Sequence, residues 1–291
     1  VFSLKAYAKV NLHLFVRSKR KDGFHSLDTL FERISLADTV SFSSRKDGRI
    51  VFTCTDSRLP VDQGNLVVRS ATLLKERFKV KQGATLRLSK RVPLGSGMGG
   101  GSSDAAATLM GLNRLWKLGL SRHQLCLLGA RIGSDVPFFL YNCSFARGTG
   151  RGERIAPLAL KRRICLWHII IVPRINVSTP LIYREWDKQG AFRLTKPGFD
   201  ATIMCLAVKK NDLAGIEQCL FNSLEPVTRN LYPEVGRIRE KLCGLGLKLI
   251  LMSGSGPAVF GLTRSKKEAV AVRKQLMLEE KAWCVFVART V

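Results

Sequence analysis

The chain has 291 residues, 46% of them hydrophobic, and carries 48 Lys and Arg against 22 Asp and Glu, a net charge of +26. That length suits about two domains with ordinary buried cores, and no apolar run approaches the ~18 residues of a membrane-spanning helix, so a soluble globular protein is expected. The basic excess is spread evenly, with 24 basic and 10 acidic residues in 1–150 and 24 and 12 in 151–291; it attracts polyanions generally, small phosphorylated molecules and nucleic acid alike, or serves solubility alone.

In chain order, the first segment alternates with period two. Ala6, Ala8, Val10, Leu12, Leu14 and Val16 share one face, and Tyr7, Lys9, Asn11, His13 and Phe15 share the other. This predicts a strand with one core face. Lys9 and Asn11 point the same way from its opposite face, toward solvent or toward a site. After the Asp22-Gly23 turn, "TVSFSS" and "RIVFTC" flank Lys46-Asp47-Gly48 and predict a β-hairpin. "NLVVRSATLLKERF" (65–78) predicts a helix capped by Asn65, with Val68, Ala71, Leu74 and Phe78 on its buried stripe. A strand follows over 84–92, ended by Pro93.

The stretch "PLGSGMGGGSSDAA" (93–106) comes next, with five glycines and three serines in fourteen residues. Ser102 or Ser103 is expected to cap a helix running to about Lys117, with Leu109, Leu112 and Trp116 buried. Ser121 and Gln124 fit a capping box for a second helix. "FFLYNCSF" reads as a strand and "ARGTGRGE" as a turn-rich hinge, which puts a domain boundary near 150–163. The second half predicts a strand over 164–173, helical segments near 179–187 and 200–222, and a helix from Glu234 to Leu242. A strand, the loop "GSGP", a second strand, a helix capped by Ser265 and a last strand complete it. Strands mixed with helices without strict alternation indicate an α+β fold. The eight cysteines stand singly, without zinc-ligand spacing, and are expected as buried thiols in a reducing compartment. The first residues lack the succession of a secretory signal; an upstream targeting segment is left open.

A strand, a glycine-rich turn and a helix start together form an anion cradle, because main-chain N–H groups converge and the helix end adds partial positive charge. A Walker P-loop needs Gly-Lys-Ser/Thr, and no Gly-Lys dipeptide occurs. Gly95, Gly97 and Gly100 satisfy G-x-G-x-x-G, but no acid lies about 20 residues on to hold a ribose. The whole stretch resembles instead the nucleotide motif of the kinase superfamily named for galactokinase, homoserine kinase, mevalonate kinase and phosphomevalonate kinase. "AKVNLHL" (8–14), "DGFHSLDTLF" (22–31), "NLVVRSA" (65–71), "GSDVPFFL" (133–140), "STPLIY" (178–183) and "MSGSGPAVFG" (252–261) resemble, in order, one branch of it. The acceptor of that branch is a diphosphocytidyl methylerythritol of the non-mevalonate isoprenoid route.

That resemblance implies a two-domain α+β fold. The N-terminal domain (1–157) would be like domain 2 of ribosomal protein S5 and would bind ATP and acceptor; the C-terminal domain (158–291) would be ferredoxin-like. It implies Asp135 as the base that takes the acceptor's proton and Lys9 as its catalytic partner. Asn65, Leu66 and Lys90 would lie at adenine, and Pro93, Gly95, Ser96, Gly97, Gly99, Gly100, Gly101, Ser102 and Ser103 would hold the phosphates. Mg²⁺ would bridge the phosphates, with Ser102 or Ser103 as a candidate ligand and capping as the alternative. Phe24 and Tyr183 would sandwich cytosine, His25 would bond its polar edge, and Asn11 would bond the acceptor near its reacting hydroxyl. Phe24 stands where tyrosine is frequent, and Ser223 where the family often has aspartate. The expected setting is a bacterial cytoplasm or a plastid stroma. The rival readings are a kinase for homoserine or a mevalonate-type acceptor and, less favoured, a basic nucleic-acid binder, for which the interleaved aromatics are missing.

Overall fold

Alternation in the N-terminal segment extends into a single strand of 18 residues, β1 (Phe2–Lys19), and the segment beyond the Asp22-Gly23 turn forms a longer one, β2 (His25–Arg45). The computed structural model describes residues 1–189, 201–263 and 265–291. Two compact units emerge, one of residues 1–8, 37–94 and 99–142, the other of residues 9–36, 95–98 and 143–291. Both long strands run through the two units.

In the first unit β4 (Gly83–Ser89) lies antiparallel to the second half of β2, with Thr39 opposite Ser89, and parallel to β3 (Ile50–Cys54), with Ile50 opposite Ala84. β2 and β3 therefore flank the Lys46-Asp47-Gly48 turn without pairing as the expected hairpin. Gly83 explains the change: a Cβ there would fall 2.3 Å from the Arg49 carbonyl oxygen, so the start of β4 closes directly on the turn and enters between the strands. The parallel β3–β4 pair is connected through α1 (Leu66–Arg77), as a parallel crossover requires. Asn65 caps α1, its Oδ1 accepting from Val67 N at 2.9 Å. Val68, Ala71 and Leu74 are buried as expected, whereas Phe78 ends the helix and stays exposed.

α2 (Gly100–Leu115) buries Leu109, Leu112 and Trp116. It starts earlier than expected: Gly99, at φ 68°, is its N-cap, and Ser102 and Ser103 sit inside its first turn instead of capping it. A Cβ on Gly111 would lie 2.2 Å from the Phe42 ring, so only glycine lets α2 lie this close to β2. α3 (Arg122–Ile132) carries the expected capping box of Ser121 and Gln124. "FFLYNCSF" departs from its strand expectation. Pro137 in the first turn fits the short helix α4 (Val136–Leu140), and strand geometry begins only at Phe145.

In the second unit the expected hinge is a hairpin, β5 (Phe145–Gly150) with β6 (Arg154–Pro157), and β5 pairs antiparallel with the first half of β2. β7 (Trp167–Pro173) is an inner strand of an antiparallel sheet ordered β11 (Trp283–Arg289), β7, β10 (Val259–Thr263), β9 (Ile250–Met252). Its Ile169 and Ile171 pack with Val235 and Ile238 of α9 (Pro233–Gly244) and Val272 and Leu276 of α10 (Lys266–Glu279). Each such side chain contributes about 1.5–3 kcal/mol by burial. α10 is capped by Ser265 as expected. α5 (Thr179–Lys188) matches its expectation closely. The helical stretch expected over 200–222 divides into α6 (Ala201–Lys210) and α7 (Leu213–Cys219) at Asn211, which takes φ 56°; its first residue lies outside the described residues. β8 (Phe221–Asn222) follows and pairs parallel with β1 at His13 and Leu14, ahead of α8 (Glu225–Leu231).

None of the eight cysteines is buried, contrary to expectation: Cys165 and Cys243 are exposed and the others half-covered. Among the described residues no helix is long and apolar enough to cross a membrane.

Candidate active site

Gly95, Gly97 and Gly99 take φ values of 59°, 77° and 68°, a left-handed succession that side chains resist. The loop they form delivers the chain into α2 with no side-chain cap and no acidic residue in the first turn. Every other described helix start is provided for: Asn65, Ser121, Asp212 and Ser265 cap α1, α3, α7 and α10, and α4, α5, α8 and α9 carry proline in the first turn. α6, whose cap is not described, stands outside this comparison. The first N–H groups of α2 thus have no side-chain cap, and an anion is the acceptor a helix N-terminus favours.

Within the second unit, Gly95–Met98 is held by the turn between β9 and β10. A Cβ on Gly97 would lie 2.2 Å from the Ser253 carbonyl oxygen, so the two glycine-rich turns meet backbone to backbone. Ser253 Oγ donates to Gly97 O at 3.1 Å, and Ala258 N to the carbonyl of the buried Ser96 at 3.1 Å. Asn222 braces that turn by donating from Nδ2 to Met252 O and Gly254 O, both at 2.8 Å. Lys9 joins the same assembly: its main-chain N donates to Met98 O at 3.0 Å, and its Nζ lies 3.5 Å from where a Gly254 Cβ would be.

The polar face of β1 is buried, not solvated. Lys9 Nζ donates to Asn11 Oδ1 at 2.7 Å, Asn11 Nδ2 to Thr29 Oγ1 at 2.8 Å, and Thr29 Oγ1 to His13 O at 2.6 Å. This relay fixes which way the Asn11 amide points. Lys9 is buried, and its ammonium lies 5.5 Å from the Phe31 ring centroid.

Within the first unit, a Cβ on Gly101 would touch Leu66 at 3.5 Å, and one on Gly133 would lie 3.7 Å from Ser102 Oγ. The start of α2, Leu66 and the Gly133-Ser134-Asp135 turn therefore adjoin. Asp135, half-buried, stands at the N-cap position just before α4. Ser103 is buried, its N donating to Gly99 O at 2.9 Å, and Pro93 is half-buried. Asn65 spends its side chain on the α1 cap and on Pro60 O. The Lys90 ammonium turns inward, donating to Asp38 Oδ2 at 2.5 Å and Asp104 Oδ2 at 2.9 Å. Burial opposes its charge, but the two carboxylates outweigh that and raise its pKa. Burial, with Asp38 close by, pushes the Asp104 carboxyl up to about 7 in spite of Lys90.

A separate group in the second unit gathers His25 and Tyr183, whose rings stack with centroids 5.0 Å apart. Trp186 meets the His25 ring edge-on, and Asp187 Oδ1 lies 2.6 Å from His25 Nε2 while its Oδ2 accepts from Lys19 at 2.7 Å. Burial works against the Asp187 carboxylate, yet these hydrogen bonds hold its pKa below the usual range. Phe24 does not join the stack: its ring, 51% exposed, faces the Arg151 guanidinium at 4.9 Å. Sequence reasoning missed Asp187, Trp186, Lys19 and Arg151, because only the fold brings residues so far apart in the chain together. Asp38 and Asn222 lie outside every motif, and Asp104 and Thr29 lie inside motifs that assigned them no role.

Family models described as GHMP kinases N terminal domain and GHMP kinases C terminal match residues 65–143 and 205–280. The chain is 43% identical over 289 residues to a 4-diphosphocytidyl-2-C-methyl-D-erythritol kinase of Brevibacillus brevis, covering 99% of this chain and 95% of that protein. It is 43% identical over 266 residues to one of Shouchella clausii, with 91% and 86% covered. Among solved structures, a 4-(cytidine 5'-diphospho)-2C-methyl-D-erythritol kinase superposes with a TM-score of 0.82 at 35% identity, covering 99% of this chain and 98% of that one. A homoserine kinase of Cytophaga hutchinsonii, at 21% identity, shares the fold with a TM-score of 0.76 over 99% and 94% of the two chains. With its uncapped glycine-loop helix, its α+β architecture and relatives of this identity over nearly its whole length, the chain belongs to the GHMP kinases and, within them, to the 4-diphosphocytidyl-2-C-methyl-D-erythritol kinase family.

Proposed function

We propose that the chain transfers the γ-phosphoryl group of ATP to the 2-hydroxyl of 4-diphosphocytidyl-2-C-methyl-D-erythritol, the acceptor named in its relatives. The observation that carries the nucleotide half of this reading is the start of α2, the one described helix start given neither a side-chain cap nor a proline. A triphosphate laid on those N–H groups supplies the missing acceptors, and phosphoryl transfer asks a protein chiefly for such positioning and charge stabilisation. The acceptor oxygen bonds to the γ-phosphorus, the bond to the β-phosphate oxygen breaks, and the hydroxyl proton passes to Asp135. Lys9, aimed by the Asn11–Thr29 relay, stabilises the developing alkoxide, and Asn11 holds the acceptor. Gly95 to Ser103 grip the phosphates, with Pro93 at the loop's entrance. Leu66 and the main chain at Asn65 and Lys90 border the adenine. His25, Tyr183 and Phe24 read the cytosine.

Mg²⁺ fits this site only as a passenger of the nucleotide: among the described residues no three His, Cys, Asp or Glu side chains gather to hold a metal ion. Magnesium is ordinarily bound by substrate phosphates with one or two protein oxygens, and Ser102 is the better placed of the two serines to add one. We assign ATP and acceptor binding to 1–157, with Tyr183 added from the companion domain 158–291, and place the enzyme in a bacterial cytoplasm. The net charge of +26 steers these phosphorylated substrates and not nucleic acid. The test is ATP turnover with each acceptor in turn. Turnover that depends on the diphosphocytidyl polyol alone is expected; turnover with homoserine or mevalonate instead would sink the assignment.

A further inference from the structure

We propose that Lys90, Asp38 and Asp104 are positioning residues of the nucleotide loop, a buried three-charge clamp that sets how the end of β4 meets the first turns of α2 and so aims the N–H groups between them. The proposal rests on the reading of that loop as a phosphate holder. Lys90 is the first residue after β4 and Asp104 the fifth of α2, so the pair brackets the glycine stretch from both sides. All three side chains are out of solvent, at 5% exposure for Lys90, 0% for Asp38 and 3% for Asp104. One ammonium holds both carboxylates.

Asp38 adds a second hold. Its Oδ1 accepts from the main-chain N of Arg91 at 2.5 Å and of Val92 at 2.9 Å, which fixes the two residues that lead into Pro93. Lys90 Nζ lies 3.3 Å from where a Cβ on Gly100 would be, directly behind the first residue of α2. Glycine-rich backbone loses about 1–2 kcal/mol or more of conformational freedom per residue when ordered. A loop with five glycines is therefore a poor phosphate cradle unless its ends are fixed beforehand, since preorganisation is what makes such donors effective.

Stability alone does not account for the cluster. Buried ion groups usually stabilise no better than apolar side chains of the same volume, and this one leaves Asp104 Oδ1 buried with no hydrogen-bond partner among the described residues. Two carboxyl groups around one ammonium also cancel the attraction it would offer to the anions this site receives. What the arrangement supplies in return is geometry: an ammonium reaches two carboxylates at once and ties β2, β4 and α2 at a single point.

The test compares Asp104→Asn, Asp38→Asn, Lys90→Arg and Lys90→Met for the Kd of a non-hydrolysable ATP analogue, KM for ATP, KM for the acceptor, and thermal midpoint. Asp104→Asn is expected to raise the analogue's Kd and the KM for ATP together by about tenfold, while the acceptor KM stays within about twofold. Lys90→Met should do more, and Lys90→Arg should recover part of the loss, because a guanidinium still bridges two carboxylates. A lowered midpoint with unchanged Kd would make the cluster merely structural. Weakening confined to the Lys90 variants would mean that Lys90 touches the nucleotide directly; either result overturns the clamp. Should Lys90→Met fail to fold, Asp104→Asn, an isostere that leaves the Lys90–Asp38 pair intact, decides alone. A wild-type protein that binds the analogue yet phosphorylates no acceptor would sink the functional reading, and the binding arm would still judge the clamp.

Discussion

The glycine loop and the His25 group are built from opposite materials. The loop works through main-chain atoms: left-handed glycines, an uncapped helix and a backbone-to-backbone contact at Gly97. The His25 group works through side chains contributed by β1, β2 and α5, locked by Asp187 and stacked on Tyr183. A phosphate chain presents similar oxygens whatever nucleotide bears it, and repeating N–H groups suit it. A base has a distinctive edge and face, which only particular side chains can read. The loop should therefore fail sharply when its backbone is disturbed, and the reader should degrade in steps as single side chains are removed.

Four measurements would break or sharpen that contrast. The largest effect is expected from Asp135→Asn, which should lower kcat by about two decades or more while both substrates still bind. An unchanged rate would remove Asp135 as the base. Gly97→Ala comes next. Its methyl group would overlap Ser253 O, and a displacement of about 1 Å can cost roughly a hundredfold, so KM for ATP should rise steeply and KM for the acceptor little. Equal loss on both substrates would erase the contrast.

Smaller still is Phe24→Ala, which removes one aromatic face worth about 1–3 kcal/mol and should weaken acceptor binding alone; an effect confined to ATP would contradict the assignment. The mildest concerns pH. Because the Asp187 pKa is depressed on folding, its contribution to stability is fully present above the ordinary carboxylate range, about pH 4, and is lost as pH falls through the lower folded value. Thermal midpoints of wild type and Asp187→Asn should therefore converge in acid, and a gap that stays constant down to pH 2 would show that the carboxylate charge is immaterial.

Local signals were legible and distant ones were not. Asn65, Ser121 and Ser265 cap the helices their positions suggest, since a cap acts over three residues. The Ser102/Ser103 expectation failed because Gly99, by adopting a positive φ, begins the helix without any side chain. "FFLYNCSF" misled through aromatic content that suits a strand, although Pro137 pointed to a helix start. Asn11 and Lys9 could be placed on one face of β1, but not the Thr29 that orients them. The sandwich expected between Phe24 and Tyr183 came from resemblance; here Tyr183 lies on His25 and Phe24 on Arg151. Asp187 and Lys19 carry no pattern, and a carboxylate's partner 168 residues away is visible only once the chain has folded.

The insertion of β4 between β2 and β3 has a consequence for biosynthesis. As the polypeptide leaves the ribosome, residues 50–54 emerge with no neighbour to zip onto, because their partner, Ile50 to Ala84 through Cys54 to Leu88, is translated more than thirty codons later. Free chains ending near residue 80 should leave the amides of 50–54 open to exchange, and the full-length chain should close them.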